Sequence, residues 1–466
     1  MLLERMYDDD LAQASYLIGC QASGEMLVVD PLRDPGRYLD AARSKGMRIV
    51  AVTETHVHAD YLSGSVELAG AANARLYLSG EGGDDWQYAI ESERLADGAA
   101  IRLGNVTITA VHTPGHTPEH LSFLITDGAA ASEPGYLLTG DFVFVGDVGR
   151  PDLLDEAAGA SDTRFDGADR LFASLRDRFL TLPDYVQVLP GHGAGSACGK
   201  ALGAVPSTTV GYERRFSWWA PYVLRGDAKG FSKELLEGQP DAPSYFGRMK
   251  RQNLQGPAPL GERRQLQRLE PEEMARRLSQ GARLIDTRSA QRYVADGIKG
   301  ALHVPAGGRF TTYASYALDP ELDPGPIYLL ATDAEAAAGL SRKLALIGVD
   351  DVRGFVSSLD GLERRPLATV TPQQLPSLSD AFVLDVRGRS EFEAGHIPGA
   401  SRVHLGRLRT NLSRIPGDRP IVVHCQSGGR AAVAASMLLA AGFENVVDLE
   451  GSYGGWESAQ ERTVTK

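Results

Sequence analysis

An internal repeat in the C-terminal half of the chain limits the possible folds more than any other pattern. Arg283-Leu-Ile-Asp-Thr-Arg288 returns as Phe382-Val-Leu-Asp-Val-Arg387, and Asp296-Gly-Ile-Lys-Gly-Ala301 returns as Gly395-His-Ile-Pro-Gly-Ala400. Both pairs are offset by 99 positions (286 to 385 and 301 to 400). A period of this length is one small domain rather than one unit of a solenoid. The C-terminal half is therefore predicted to hold two tandem copies of a small domain.

Each copy alternates strand-like and helix-like segments, which is typical of parallel strands covered by helices. The chain has 466 residues, and at roughly 100–200 residues per domain it has room for two to four domains. A stretch rich in proline, glycine and glutamine at about 254–262 predicts a linker. We therefore predict an N-terminal domain over residues 1–254 and two smaller α/β domains over 262–362 and 367–466.

Composition excludes several classes of partner. Lysine and arginine total 48 against 60 aspartates and glutamates, a net charge of −12, so the surface repels nucleic acid. Three cysteines cannot form a disulfide framework and indicate a reducing compartment. No secretory signal is visible, and no stretch approaches the roughly 18 apolar residues of a membrane span. We expect a cytoplasmic protein without membrane or nucleic-acid partners.

The N-terminal domain carries four polar motifs, each directly after an apolar run. The first is Thr55-His-Val-His-Ala-Asp-Tyr61, and the others centre on His116, Asp141 and His192. Sites in α/β proteins form where strands end, and imidazole and carboxylate groups brought together there are metal ligands. The alternative, helix caps and hydrogen-bonded core histidines, suits one isolated histidine better than four such motifs. The pattern predicts a metal site.

These motifs resemble the metallo-β-lactamase superfamily over about residues 8–200, which implies an αββα sandwich. Superfamily hydrolases such as glyoxalase II usually have a histidine after the aspartate of the first motif, and it helps to hold a second zinc. Here that residue is Tyr61. The remaining set of His56, His116 and Asp141 leaves metal positions open, which suits Fe(II) binding O₂ and a substrate together. Two-metal hydrolysis requires a filled second site.

This combination resembles persulfide dioxygenases, which oxidise the outer sulfur of a thiol persulfide to sulfite at one iron. The resemblance implies one Fe(II) per chain. It assigns residues as follows: His56, His116 and Asp141 bind iron; His58, Asp60, His192 and Tyr61 surround and orient the ligands; Arg150 contacts the thiol carrier. A loop-bracing salt bridge is the alternative for Arg150. Gly193-Ala194 follows His192 where glutathione-using members often carry a tyrosine, so glutathione, bacillithiol and coenzyme A all remain possible carriers.

Cys198 lies six residues after His192 and two before Lys200. A neighbouring metal and an ammonium group would favour its thiolate. We predict that Cys198 binds or relays sulfane sulfur, and an inert small side chain is the alternative.

The second C-terminal copy contains a cysteine in a glycine-rich turn, within Val422-Val-His-Cys-Gln-Ser-Gly-Gly-Arg430. Turn N–H groups, the positive end of the following helix and Arg430 stabilise a thiolate and hold an anion. Phosphatases of related fold usually have five residues between cysteine and arginine, whereas this chain has the four that resemble rhodaneses, sulfurtransferases that carry sulfur as a cysteine persulfide. The resemblance covers about 367–460. It implies catalysis by Cys425 and Arg430 and substrate binding by Gln426, Ser427, Gly428 and Gly429.

In the first copy the position matching Cys425 is Ala331, and Asp333 and Glu335 follow it. Without a thiol, and with carboxylates that repel anions, this copy resembles an inactive rhodanese. We predict a packing or dimerisation role for it.

The whole arrangement resembles persulfide dioxygenase–rhodanese fusions with an additional inactive rhodanese domain. It implies a metallo-β-lactamase sandwich followed by two tandem rhodanese-like α/β domains. The expected activities are Fe(II)- and O₂-dependent oxidation of a low-molecular-weight thiol persulfide to sulfite, and sulfur transfer through Cys425 that forms or consumes thiosulfate. We also expect a homo-oligomer. Two alternatives stay open: a zinc thioester hydrolase of the glyoxalase II type fused to a sulfurtransferase, and a non-enzymatic sulfur carrier or sensor.

Overall fold

The computed structural model describes residues 1–153, 163–200, 202–261 and 265–464. The chain forms two compact units. The first comprises Met1–Gln239 and Phe246–Gly261, and the second comprises Pro240–Tyr245 and Glu262–Lys466. Among the described residues, every helix is too short or too polar to span a lipid bilayer.

The first unit contains two six-stranded sheets. The strands of the first sheet are β1 (Leu2–Asp8), β2 (Gln13–Cys20), β3 (Glu25–Val29), β4 (Arg48–Thr53), β5 (Arg75–Ser79) and β6 (Glu93–Leu95). Those of the second are β7 (Ala100–Leu103), β8 (Val106–His112), β9 (Leu121–Asp127), β10 (Tyr136–Gly140), β11 (Gln187–Pro190) and β12 (Thr208–Thr209). Strands β3 to β6 run parallel to one another, as do β10 and β11. The loops that follow several parallel strands can therefore meet at one edge.

The helices of the described part of this unit are α1 (Pro35–Ser44), α2 (Ser65–Ala72), α3 (Thr163–Ser174), α4 (Val210–Phe216), α5 (Ala220–Leu224), α6 (Ala228–Leu236) and α7 (Phe246–Gln255). Alternating apolar residues of both sheets pack face to face in one core. Helices α1 and α2 cover the outer face of the first sheet, and α3, α5 and α6 cover that of the second. This layering confirms the predicted αββα sandwich.

The second unit contains two five-stranded parallel sheets. The first has β13 (Gln267–Arg268), β14 (Arg283–Asp286), β15 (Leu302–His303), β16 (Ile327–Leu330) and β17 (Val352–Val356). The second has β18 (Ala368–Val370), β19 (Phe382–Asp385), β20 (Ser401–Arg402), β21 (Ile421–His424) and β22 (Val446–Leu449). Their orders, β13-β17-β16-β14-β15 and β18-β22-β21-β19-β20, are the same when read along each copy. This confirms two repeated α/β modules.

The helices of the first copy are α8 (Pro271–Ser279), α9 (Ala290–Asp296), α10 (Phe310–Ala317) and α11 (Ala334–Ala345). Those of the second are α12 (Arg389–Ala394), α13 (Gly429–Ala440) and α14 (Ser452–Val464). In the second copy, short 3₁₀ turns stand where the first has α8 and α10.

Of the segment predicted as a linker at about 254–262, residues 254–261 belong to the first unit, and residue 262 lies outside the described residues. The segment begins within α7, and the backbone N–H groups of Leu260 and Gly261 donate to the Glu67 carboxylate on α2. Composition indicated irregular backbone here, but it could not indicate these hydrogen bonds. The domain limits 1–254, 262–362 and 367–466 stay predictions.

Candidate metal centre and cysteine loop

The loops that follow β4, β8, β10 and β11 meet at one polar site in the first unit. The loop after β4 supplies His56, and the loop after β8 supplies His116. Asp141 directly follows β10, and His192 follows β11. Each residue is held by the end of a buried strand, so the site has a rigid base.

The side chains of His56, His116 and Asp141 converge. One potential ligand atom from each lies within 4.8 Å of the others, and all three residues are buried. Asp141 Oδ2 lies 3.6 Å from His116 Nε2 and 3.9 Å from His56 Nε2. Within the described part of the chain, neither carboxylate oxygen of Asp141 has a hydrogen-bond partner. A buried carboxylate without a partner is unfavourable, so these three residues fit a bound cation.

The other ring nitrogens of the two histidines are already engaged. His116 Nδ1 donates a hydrogen bond to the Arg150 carbonyl at 2.9 Å, which leaves Nε2 to bind a metal. His56 Nδ1 lies 2.9 Å from Thr55 Oγ1. Burial lowers the pKa of both His56 and His116, and the uncharged imidazole is the form that coordinates metals.

A second group of potential ligands lies beside the first. Ligand atoms of Asp60, His192 and Cys198 are within 4.8 Å of one another, and all three residues are buried. His192 Nε2 lies 3.5 Å from Asp60 Oδ2 and 3.5 Å from Asp141 Oδ1. Its Nδ1 donates to the Ala12 carbonyl at 3.1 Å. Asp141 therefore stands between the two groups, with one oxygen towards each.

His58 and Tyr61 face a different part of the interior. His58 Nε2 lies 3.1 Å from Asp30 Oδ1 and 3.0 Å from Glu54 Oε2. Burial lowers the pKa of His58, but these two carboxylates outweigh burial and raise it well above its ordinary value. The Tyr61 hydroxyl accepts a hydrogen bond from Gln13 Nε2 at 3.3 Å. The ring that replaces the expected histidine packs against the His58 ring, with centroids 4.5 Å apart.

In the second unit, Cys425 directly follows β21 and is buried. The Gly428 N–H donates to Cys425 Sγ at 3.1 Å. The Cys425 N–H donates to Ser452 Oγ at 3.2 Å, and the same hydroxyl lies 4.0 Å from the sulfur. Gly428 has φ +100°, which L-residues rarely adopt. The turn thus directs backbone and hydroxyl donors at one sulfur atom.

The remaining loop residues form an exposed rim around this buried sulfur. Gln426 and Ser427 are exposed, and Gly429 begins α13. Arg430 makes a bidentate ion pair with Glu391, at 2.6 and 2.7 Å. The guanidinium lowers the pKa of the Glu391 carboxyl. The predicted cysteine loop, 425–430, therefore encloses a buried sulfur and reaches the surface at Gln426 and Ser427.

Both families predicted from the motifs match by direct comparison. Residues 8–192 match the metallo-beta-lactamase superfamily model, and residues 371–459 match the rhodanese-like domain model. The chain is 30% identical to a hydroxyacylglutathione hydrolase of Polaromonas sp. across 54% of this chain and 98% of that protein. The chain belongs to the metallo-beta-lactamase superfamily. Its C-terminal part is a rhodanese-like domain.

Other members of the superfamily are also similar. The mitochondrial persulfide dioxygenase ETHE1 of Bos taurus is 27% identical across 41% of this chain and 68% of that protein. The crystal structure of a metallo-beta-lactamase from Staphylococcus aureus superposes with a TM-score of 0.69 and is 36% identical, covering 77% of this chain and 99% of that one. These findings are consistent with a fusion of an ETHE1-like domain to a rhodanese-like domain.

The side chains of Arg150 and Lys200 are both held by other groups of the protein. The Arg150 side chain is 1% exposed, pairs with Asp152 and donates to the Ala197 carbonyl at 3.2 Å. Its contact with a thiol carrier stays a prediction, and the ion pair braces the loop beside His116. The Lys200 ammonium donates to the carbonyls of Glu234 and Glu237 at the end of α6.

The surroundings of Cys198 are acidic rather than basic, contrary to the expectation from sequence. Burial and the Asp141 and Asp60 carboxylates raise the pKa of the Cys198 thiol well above its ordinary value. Proximity in sequence suggested that Lys200 would stabilise the thiolate, but that side chain extends to α6.

Two buried residues that brace the centre were missed from the sequence. Asn253 on α7 accepts a hydrogen bond from the Ser63 N–H and donates to the carbonyls of His58 and Tyr61, at 2.7 to 2.9 Å. His120 Nε2 accepts from the Asp141 N–H at 3.2 Å. His120 could have been found by its spacing of four from His116. Asn253 lies in no motif, about 190 positions from the loop that it holds, and carried no signal.

Proposed function

We propose that this protein is a bifunctional sulfur enzyme. The metallo-beta-lactamase domain oxidises a low-molecular-weight thiol persulfide to sulfite with Fe(II) and O₂. The rhodanese domain transfers sulfane sulfur through a persulfide on Cys425. The similarity to a persulfide dioxygenase and to the rhodanese-like domain supports the pairing of these activities.

One observation carries the first activity: His56, His116 and Asp141 converge, while Tyr61 turns its hydroxyl to Gln13. The three converging residues would hold one iron, and the buried Asp141 carboxylate without a hydrogen-bond partner fits that assignment. Iron bound there would supply redox chemistry with O₂ that zinc lacks.

The protein's own groups would orient the ligands and exclude water. The Arg150 carbonyl fixes the His116 ring, and the His120 ring accepts the Asp141 N–H. The His58 ring packs against the His56 ring with centroids 4.2 Å apart, and the Tyr61 ring packs against His58. His192 lies beside the carboxylates of Asp141 and Asp60. Pre-positioned ligands of this kind keep metal affinity high, because loss of an orienting partner typically costs 10–100-fold.

At the second site, the Cys425 thiolate attacks the outer sulfur of a donor. The bond between that sulfur and the donor breaks, and the donor leaves with the electron pair. The turn N–H groups and Arg430 hold the anionic donor, with Gln426, Ser427, Gly428 and Gly429 forming the recess. Sulfite then removes the sulfur to give thiosulfate, or the reverse reaction makes persulfide from thiosulfate. A cytoplasmic location fits the three free cysteines, and a homo-oligomer stays a prediction.

A second candidate is a zinc thioester hydrolase of the glyoxalase II type, fused to the same sulfurtransferase. The alignment with a hydroxyacylglutathione hydrolase over nearly that protein's full length favours it. It needs a second metal, and Tyr61 stands in place of the histidine that usually helps to hold that metal.

The deciding experiment measures O₂ uptake by the iron-loaded full-length protein with persulfides of glutathione, bacillithiol and coenzyme A. We expect uptake with at least one carrier and a loss of about a hundredfold or more in His116→Ala. His112→Ala is the matched control, because the His112 ring donates to the Pro118 carbonyl outside the ligand set. Stoichiometric zinc with thioester hydrolysis, and no O₂ uptake, would select the hydrolase.

A further inference from the structure

Helix α10 belongs to the first C-terminal copy, and both copies lie in the second compact unit. We propose that α10 forms one wall of the Cys425 recess of the second copy, where Arg309 and Tyr313 bind the anionic part of the sulfur donor. The donor class is a small dianion such as thiosulfate. This inference rests on the proposed sulfur transfer through Cys425 and specifies what binds its substrate.

Three side chains lie on one face of α10. Arg309 is the N-cap residue of the helix, and Tyr313 and Tyr316 follow it by four and seven positions. Residues three or four positions apart are neighbours on a helix surface. The three side chains therefore form one continuous stripe along the helix, which we call the α10 face.

The C-terminal end of the α10 face contacts the second copy. The centroids of the Tyr316 and His404 rings are 6.0 Å apart. A Cβ atom on Gly406 would lie 3.1 Å from the Tyr316 ring, so a larger residue there would press on the ring. At the end of the helix, the Ala317 carbonyl accepts a hydrogen bond from Arg409 at 2.9 Å. The α10 face is thus turned towards the second copy and is fixed there at one end.

The Tyr313 hydroxyl lies near the Cys425 loop. Burial raises the pKa of this hydroxyl. The Arg309 and Arg430 guanidinium groups lower that pKa, whereas the charges of Cys425 and Glu391 raise it. Charges shift the pKa of a group in this way when they lie close to it. Together with the fixed end of the helix, these effects place the half-buried Tyr313 ring beside the recess.

The recess needs a further cation to bind an anionic donor. Arg430 pairs with both carboxylate oxygens of Glu391, at 2.6 and 2.7 Å, so this pair has no net charge. The Cys425 thiolate adds a negative charge, which repels a dianion. Arg309 is exposed and takes part in no ion pair within the described part of the chain. Its guanidinium is therefore available to bind two oxygens of an oxyanion, and the Tyr313 hydroxyl can donate to another.

These two side chains would act on binding more than on the chemical step. The Cys425 thiolate attacks the outer sulfur of thiosulfate, the bond between the two sulfurs breaks, and sulfite leaves with the electron pair. Arg309 and Tyr313 would contact the sulfonate oxygens before and after this transfer. Interactions made equally in the ground state and the transition state lower KM without raising kcat.

The test measures sulfur transfer from thiosulfate to cyanide by the full-length protein. We expect Arg309→Ala to raise the KM for thiosulfate about tenfold and to change kcat by less than about threefold. Arg309→Lys should recover part of the loss because it keeps the charge. Tyr313→Phe should raise the KM about threefold. The matched control is Arg342→Ala, which removes an exposed arginine on α11 of the same copy and should leave the KM unchanged.

Three results would each overturn the inference: a KM within about twofold of the wild type in Arg309→Ala, an equal rise in Arg342→Ala, or a loss confined to kcat. A second measurement follows alkylation of Cys425 by iodoacetamide in the presence of sulfate, an unreactive dianion. Half-protection should require about tenfold more sulfate in Arg309→Ala, and equal protection would refute anion binding by Arg309. If the wild type does not turn over thiosulfate, the proposed sulfur transfer fails, while the sulfate result still decides the role of Arg309.

Discussion

The two C-terminal copies share one strand order and differ in the loop that follows the central strand. Both sheets have the same strand order. In each, an arginine two residues after the strand's final aspartate pairs with that aspartate: Arg288 with Asp286 and Arg387 with Asp385. The same guanidinium groups also donate to the carbonyls of Asp296 and Gly395. The same bracing therefore forms in the copy with the cysteine loop and in the copy without it.

The difference lies at the start of one helix. In the first copy, Asp333 accepts a hydrogen bond from the Ala336 N–H at 2.8 Å and caps α11 with its own carboxylate. In the second, the N-cap residue of α13 is Gly428, which offers no side-chain cap, and its N–H donates to Cys425 Sγ. A helix start that is left uncapped can hold an external anion. The second copy differs by leaving those donors available to an anion.

The largest expected effect comes from the cysteine itself. Cys425→Ser should reduce sulfur transfer from thiosulfate to cyanide by about a thousandfold or more, because a hydroxyl is a much weaker nucleophile than a thiolate. Adding Ala331→Cys in the first copy should not restore transfer, since the capped, acidic turn disfavours an anion there. Restored transfer in the double variant would break the distinction between the copies.

Deleting residues 262–362 tests whether the first copy supports the second. Arg409 donates to the Ala317 carbonyl at 2.9 Å and pairs with Asp323 at 2.7 Å. Without these partners a half-buried guanidinium is left unpaired, so transfer through Cys425 should fall at least about tenfold and assembly should change. Arg409→Ala should cause a smaller loss. Turnover and assembly retained by the deletion protein would refute the packing or dimerisation role.

A smaller effect is expected from substituting the N-cap residues of the two corresponding helices, Gly428 before α13 and Asp333 before α11. Gly428→Ala places a side chain at φ +100°, which should cost about 1–2 kcal/mol and slow transfer as the N–H moves from the sulfur. Asp333→Ala should lower thermal stability slightly and change transfer by less than about twofold. Equal effects of the two variants on the transfer rate would contradict the assignment of function to the uncapped start.

Much of this comparison could be predicted from the sequence, for a physical reason. Repeated Asp-x-Arg segments and strand patterns are local signals, and the loop from Cys425 to Arg430 is contiguous. The four metal motifs could be placed at strand ends because apolar runs precede them. By contrast, the contact of Arg150 with the Ala197 carbonyl and those of Lys200 with the end of α6 depend on which segments meet in space. Local sequence suggested a thiolate at Cys198, whereas Asp60 and Asp141 actually surround it.

The smallest expected effect concerns a buried acid that only one copy carries. Asp448 on β22 lies opposite Val423 on β21 in the sheet register. The corresponding residues of the first copy are Phe355 on β17 and Leu329 on β16. Burial, with a contribution from Glu450, raises the pKa of Asp448 to about 7, and its Oδ1 has no hydrogen-bond partner among the described residues. The raised value means that folding favours the protonated acid. The stability that the protonated Asp448 contributes is therefore fully present below about pH 4, and this contribution is lost as pH rises towards 7.

Asp448→Asn should remove this pH dependence. At pH 8 it should stabilise the active copy by at least about 1 kcal/mol, because each pKa unit corresponds to about 1.4 kcal/mol. The measurement is thermal unfolding of the full-length protein at pH 5 and pH 8, and Glu450→Gln should give a smaller change of the same sign. If the unfolding temperatures of the wild type and Asp448→Asn changed equally between pH 5 and pH 8, Asp448 would be ionised in the folded protein. The copies would then differ in their loops but not in the protonation of their cores.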